Sequence, residues 1–265
     1  MNLFLFHVKI KLVYWIVWVD KLVWKKVRNL GIEAYYDLKS YPTCWVHHLA
    51  GATPLVKAWG VNPQCLSQEQ LSKRPVIFLH GCFANQGCWR PLLKDLSKAP
   101  LGPFFSFNYS GIEQGLDRLQ QTLEQVQQLY TRHGVPEVEV DLVGHSLGAI
   151  TSAYYALLHT HALPPGLRIR RVISVAGRLR IQETSWDFPY RDIRGFIDQI
   201  HESYIEGEHD LDLHVVAGSA DRLVPIESVC IHDDPTRTLV VPNRGHLAVL
   251  YSSAFGEKLL EWLKD

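Results

Sequence analysis

From Lys73 to the end of the chain, short unbroken apolar runs alternate with longer stretches in which apolar residues recur at helical spacing. Pro75–Leu79 (PVIFL) has no polar position, as a strand buried on both faces of a parallel sheet requires. The pattern then predicts a helix over about Cys88–Lys98, a strand over Pro103–Tyr109 and a long helix over Ile112–Arg132. In that helix Leu116, Leu119, Leu123, Val126 and Leu129 lie along one side, and Gly134 and Pro136 stop it. Strand Val138–Val143, helix Leu147–His159 and strand Ile169–Val175 follow. Two more strands, Leu213–Ala217 and Thr238–Val241, precede a closing helix near Ser253–Leu263. Strands alternating with helices in this way imply βαβ units, and so an α/β fold with a mostly parallel, doubly wound sheet. Such sheets bind ligands beyond the carboxyl ends of their strands.

Two segments break the rhythm. Residues 178–211 scatter Trp186, Phe188, Tyr190, Phe196 and Tyr204 among charges, which suggests a short cap over the site. Residues 1–30 are rich in aromatic and aliphatic side chains interspersed with lysines. Their longest uncharged apolar run, Leu12–Val19, is far shorter than the roughly 20 residues a membrane-crossing helix needs. Lys9, Lys11, Asp20 and Lys21 flank the run closely, and the stretch has neither a positive n-region ahead of its apolar part nor an A-x-A-like site after it, so it does not read as a secretory signal. On a helical projection Lys11, Lys21, Lys25, Lys26 and Arg28 share one arc, with Val13, Val23, Val27 and Leu30 away from it. That is the pattern of an amphipathic helix lying in a membrane interface. An apolar face packed on the protein's own core fits as well, and Val8, Ile10 and Leu12 alternating with Lys9 and Lys11 leave a strand open. The expected organisation is this N-terminal amphipathic extension, 1–30, ahead of one domain, 31–265.

Composition narrows the chemistry. With 27 basic and 27 acidic residues, the surface has no net field to draw nucleic acid, and none is expected as a partner. The five cysteines (Cys44, Cys65, Cys82, Cys88 and Cys230) form no CxxC pair. Their odd number argues against a disulfide framework and for a reducing compartment, hence a cytoplasmic location with peripheral membrane association through residues 1–30 as the open alternative. The thirteen histidines include no HExxH and no Cys/His cluster at ligand spacing, so neither metal nor other cofactor is expected.

The third strand of the repeating unit runs into Gly144-His145-Ser146-Leu147-Gly148, a G-x-S-x-G string at a strand-to-helix junction. A serine on so tight a turn lies above the sheet at a helix N-terminus, where developing negative charge is favoured. Its hydroxyl needs a base and an acid to orient that base, and on such a sheet the chain order is Ser, acid, His. Asp221, in AGSADRLVP directly after a strand, and His246, in NRGHL directly after the last strand, satisfy that order at the same sheet edge. Asp187, Asp192, Asp210, Asp212 and Asp233 are rival acids that follow strand ends less closely. His145 is expected to support the elbow, because adjacent residues on a sharp turn point apart. The backbone N–H groups of Cys82, after His80-Gly81, and of Leu147 are the candidate oxyanion donors. Cys82 itself is expected as a packed thiol.

The runs HGCFANQGCW, NYSGIEQGLDRLQQTLEQV, VDLVGHSLGA, VAGSADRLVP and RGHLAVL together resemble the bacterial triacylglycerol-lipase-like and esterase members of the α/β-hydrolase superfamily, over roughly residues 73–265. The resemblance implies a triad of Ser146, Asp221 and His246, an oxyanion hole from Cys82 and Leu147, and hydrolysis of a small-molecule carboxylic ester, an acyl or lipid ester in particular. Two departures stand out. Ala149 follows Gly148 where many such lipases carry a second glycine, and Ala176–Arg180 lacks their Thr-Pro-His-x-Gly-Thr run, which bears on the lid and acyl pocket. The same residues would serve an acyltransferase or thioesterase, and a catalytically silent scaffold binding a membrane or partner is the alternative from another class.

Overall fold

A parallel sheet covered on both faces needs strands that are apolar at successive positions, and all four residues of PVIFL that pair into the sheet are buried. The computed structural model describes residues 57–59, 67–181, 193–207 and 211–264. Strands β1 (Lys57–Trp59), β2 (Val76–Leu79), β3 (Phe104–Ser106), β4 (Val138–His145), β5 (Leu167–Val175), β6 (Asp212–Gly218) and β7 (Thr238–Val241) form one sheet in the order β1-β3-β2-β4-β5-β6-β7. Only the β1–β3 pair is antiparallel. The α-helices are α1 (Gln68–Leu71), α2 (Arg90–Leu96), α3 (Ile112–Arg132), α4 (Leu147–Leu158), α5 (Arg194–Glu206), α6 (Ile226–Val229) and α7 (Ser253–Lys264).

Alternate strand residues feed two cores. Ile77, Leu79, Leu142, Val172 and Val215 face one side, where α3 contributes Leu119 and Leu123 and α4 contributes Ile150 and Ala153. Phe78, Val143, Ile173 and Val216 face the other, against Leu92 and Leu93 of α2 and Phe255 and Leu259 of α7. The sheet is thereby sandwiched between helical layers, and only its strand ends are left to hold polar chemistry.

The expected cap over 178–211 takes a different form where it is described. Helix α5 buries Ile197 and Ile200 in the same core as α4, and Phe196 packs edge-to-face on Tyr154 with ring centroids 4.8 Å apart. It is therefore the crossover helix between β5 and β6, because an apolar pair spaced i, i+3 makes a buried helix face. Residues 182–192 and 208–210 of that segment, and the 1–30 extension, lie outside the described residues. Among those described, no helix is long and apolar enough to cross a membrane.

Candidate active site

Ser146 stands between β4 and α4 with φ 53° and ψ −114°, a backbone conformation that a side chain makes costly. It occupies the N-cap position of α4, yet its side chain makes no capping hydrogen bond, so capping does not explain the residue. The turn closes because its glycines let backbones touch. A Cβ on Gly148 would come within 2.2 Å of the Leu79 carbonyl oxygen, and one on Gly144 within 2.3 Å of the Gly148 carbonyl oxygen. Helix α4 thus starts hard against the ends of β2 and β4, with Ser146 at the carboxyl edge.

At the same edge, the loops after β6 and β7 are knitted together. Ser219 N–H donates to the Val241 carbonyl, Ala220 N–H to the Arg244 carbonyl, and Asn243 N–H to the Ser219 hydroxyl. This brings Asp221 and His246 together: His246 Nδ1 lies 2.8 Å from Asp221 Oδ2. The other carboxylate oxygen, Oδ1, accepts the N–H groups of Leu223 and Val224, each at 2.9 Å. The Asp221 side chain is 1% exposed, so these three donors replace its water. Because a carboxylate accepts, Nδ1 carries the histidine's proton and Nε2 keeps its lone pair free. Asp212, a rival acid, lies instead at the opposite end of β6, bonded to Arg171 and His214. Asp187, Asp192 and Asp210 fall outside the described residues.

The turn after β2 leans on the elbow. A Cβ added to Gly81 would sit 2.8 Å from His145 Nδ1 and 3.1 Å from Ser146 Cβ, so only glycine lets this backbone lie against the serine. Cys82 follows it, and burial pushes its thiol pKa upward, which keeps it protonated and poorly nucleophilic at neutral pH. Leu147 is the first residue of α4, where a helix leaves an N–H without an intrahelical acceptor.

A serine on a strained strand-to-helix elbow, with an Asp–His pair from later strand ends of one parallel sheet, agrees with what the sequence matches: the family model for the alpha/beta hydrolase fold covers residues 74–220, more than half of the chain. The chain belongs to the α/β-hydrolase family. Solved structures similar to this hydrolase include a truncated carbohydrate esterase from gut microbiota (15% identity, 81% of this chain and 96% of the other, TM-score 0.56). Another is the propionate-bound esterase Est2 of Thermogutta terrifontis (15% identity, 79% and 87%, TM-score 0.55). A third is a carboxylesterase structure from the thaumarchaeon Nitrososphaera gargenis (13% identity, 79% and 93%, TM-score 0.51). At these identities the likeness is one of fold. No curated protein matches the chain by sequence.

Two supports of the hydrolase site escape a reading of the sequence, and for a third, His145, the sequence places the residue at the elbow without its partner. Tyr109, at the end of the β3 segment, donates its hydroxyl to the His80 carbonyl and stacks on the His80 ring at a centroid distance of 4.4 Å. Its N–H also donates to His80 Nε2, leaving His80 Nδ1–H to meet the Gly81 carbonyl at 2.8 Å. Gln86 N–H donates to Asn108 Oδ1 at 2.8 Å, tying the stretch beyond Cys82 to the end of β3. The third is His145, whose Nε2 lies 2.9 Å from the His246 carbonyl oxygen. The only sequence signal for these contacts is that polar residues follow buried strands.

Proposed function

We propose that the protein is a serine hydrolase that cleaves carboxylic esters through a Ser146–His246–Asp221 triad and an acyl-enzyme. The observation that carries the reading is the 2.8 Å approach of His246 Nδ1 to a buried Asp221 carboxylate, at the sheet edge that bears the strained Ser146. His246 Nε2 takes the Ser146 proton as Oγ attacks the ester carbonyl carbon, and Asp221 stabilises the imidazolium. The backbone N–H groups of Cys82 and Leu147 receive the oxyanion, each such donor contributing about 3 kcal/mol to the transition state. Collapse of the tetrahedral species expels the alcohol, which takes its proton from His246. Water, deprotonated by the same imidazole, then releases the acid.

The substrate we favour carries an apolar acyl chain. Phe83, next to Cys82, is 88% exposed, and Leu223, two residues after Asp221, is also exposed. Apolar side chains on both loops would suit an acyl or lipid ester. A fluorophosphonate probe tests the chemistry: the wild type labels and Ser146→Ala does not, whereas an unlabelled wild type refutes a hydrolytic serine. A p-nitrophenyl ester series from acetate to palmitate tests the chain, and a maximum at acetate refutes the lipidic preference.

A further inference from the structure

We propose that His145 is a positioning residue for His246, holding the base in place from inside the nucleophile's own elbow through an Nε2–H to carbonyl hydrogen bond. The inference rests on the triad reading above and assigns a role to a residue that reading does not use.

His145 closes β4, is 2% exposed, and precedes Ser146 directly. Its Nε2 lies 2.9 Å from the carbonyl oxygen of His246, across 101 positions of chain. A carbonyl only accepts, so the proton of the neutral ring is on Nε2. The ring stays neutral around pH 7, because burial, with His246 and His80 nearby, lowers its pKa to about 3. The titratable groups around it are His246 on the β7 loop, with Asp221 behind it, and His80 at the end of β2.

The bare Nδ1 faces Gly81 and has no hydrogen-bond partner among the described residues. Burying an acceptor in this way is unfavourable, and a hydrocarbon side chain would fill the space without that penalty. What hydrocarbon cannot supply is the donor. The acid loop pins residues on either side of the bond: Ala220 N–H holds the Arg244 carbonyl, and Asp221 holds the His246 ring. The bond from His145 adds a tie to the elbow itself, so Ser146 and His246 are referenced to one another through a single buried side chain. The His145 and His246 rings also touch, with centroids 4.9 Å apart, and a neutral neighbour does not repel the imidazolium that forms during turnover.

Gln and Met are nearly the same length, and only Gln keeps an N–H at the end, so His145→Gln against His145→Met isolates the donor. Competent sites are counted by fluorophosphonate titration taken to completion, and kcat and KM are then measured per titrated site on p-nitrophenyl butyrate. The expected result is that the Met protein loses about 30- to 100-fold in kcat, the scale of a misplacement near 1 Å. Its KM stays within about threefold of the wild type, and the Gln protein recovers at least about tenfold of the lost rate. If the Met protein does not fold, His145→Phe, which preserves the ring contact, takes its place in the comparison. Equal per-site kcat in the Gln and apolar proteins, whether both high or both low, overturns the proposal. Failure of the triad reading is a separate outcome, recognised by undiminished turnover in Ser146→Ala.

Discussion

The Asp221 carboxylate divides its work between its two oxygens, and Asp221→Asn separates them. Oδ1 accepts two backbone N–H groups and Oδ2 accepts His246 Nδ1–H. An asparagine must turn its carbonyl toward the Leu223 and Val224 N–H groups, because its NH2 there would leave two buried donors facing a third. That orientation points NH2 at His246 Nδ1 and drives the imidazole proton to Nε2, where it can no longer accept the Ser146 proton. Restoring the useful tautomer means flipping the amide and losing two buried hydrogen bonds, at about 1–3 kcal/mol each. At about 1.4 kcal/mol per tenfold, the competent arrangement is then populated between roughly 1 in 30 and 1 in 10⁴. The asparagine enzyme should therefore lose about 30- to 10⁴-fold in kcat on p-nitrophenyl butyrate, while its Tm stays within a few degrees of the wild type. Asp221→Ala forces no tautomer, so it should turn over faster than the asparagine protein, but it orphans the two N–H groups and melts lower. An asparagine enzyme with more than a tenth of wild-type kcat, or one slower to melt yet faster to turn over than alanine, refutes this account of the carboxylate.

Three further expectations follow from the structure. Phe83 holds φ 57° with its ring in solvent, so Phe83→Gly should relieve about 1 kcal/mol or more of backbone strain and raise Tm by a few degrees, while weakening kcat/KM for long acyl chains relative to short ones. Unchanged chain-length selectivity would remove Phe83 from the acyl site. Tyr109→Phe removes the hydroxyl that braces the His80 carbonyl and should lower kcat about tenfold or more with little change in KM, read from steady-state kinetics at matched titrated sites; unaltered kcat would mean that stacking alone secures the turn. Burial lowers His145 to about 3 and His214 to about 4, so between pH 6.5 and 4 the unfolded chain binds two protons that the native state does not. Stability is then full above about pH 6.5 and falls on acidification by up to about 2.7 kcal/mol per pH unit; urea unfolding between pH 7 and 5 should show this slope, roughly halved in His214→Phe, and a flat profile would contradict it.

How much of this is legible along the chain depends on what sets each feature. The ends of α3 at Ile112 and Arg132 and of β7 at Thr238 and Val241 coincide with the sequence reading, because local periodicity and flanking breakers decide them. β4 and β5 each run two residues beyond the apolar runs that announce them. Gly144 and His145 pair with Ser174 and Val175, and Leu167 and Arg168 with Val138 and Glu139, so the neighbouring strand extends what hydropathy alone would end. The predicted helix from Cys88 begins instead as a 3₁₀ turn at Gln86, capped by Asn85 and passing into α2 at Arg90. Strand β1 is three residues long, too short for any period to reveal it, and α5 hides behind aromatic residues that suggest a cap. At the site, the G-x-S-x-G string and two strand-end loops are local patterns and could be read in advance. The bonds from His145 to the His246 backbone and from Tyr109 to His80 span 101 and 29 residues and exist only once the strands are in register.

That register has its own device at the far edge of the sheet. Toward the amino edge of the sheet, Arg74 ahead of β2, Asp141 and Arg171 within β4 and β5, Asp212 at the start of β6 and Arg237 ahead of β7 form a row of alternating charge. Asp141, Arg171 and Asp212 are direct cross-strand neighbours. Arg74 lies 3.1 Å from Asp141, Arg171 2.6 Å from Asp212, and Arg237 3.6 Å from Asp212. Burial raises the Asp141 pKa even though Arg74, Arg171 and Arg170 all favour its charge, so this row is a costly way to gain stability. It is a discriminating way to fix alignment. Sliding β5 by one residue would turn Arg171 to the opposite face and break its pair with Asp212 and its place beside Asp141. The hydrogen bonds of a parallel ladder repeat along the strand and do not by themselves penalise such a slip, whereas the charge row does. Since Ser146, Asp221 and His246 each follow a different strand, an alignment enforced at the amino edge is what brings their loops to a common height at the carboxyl edge.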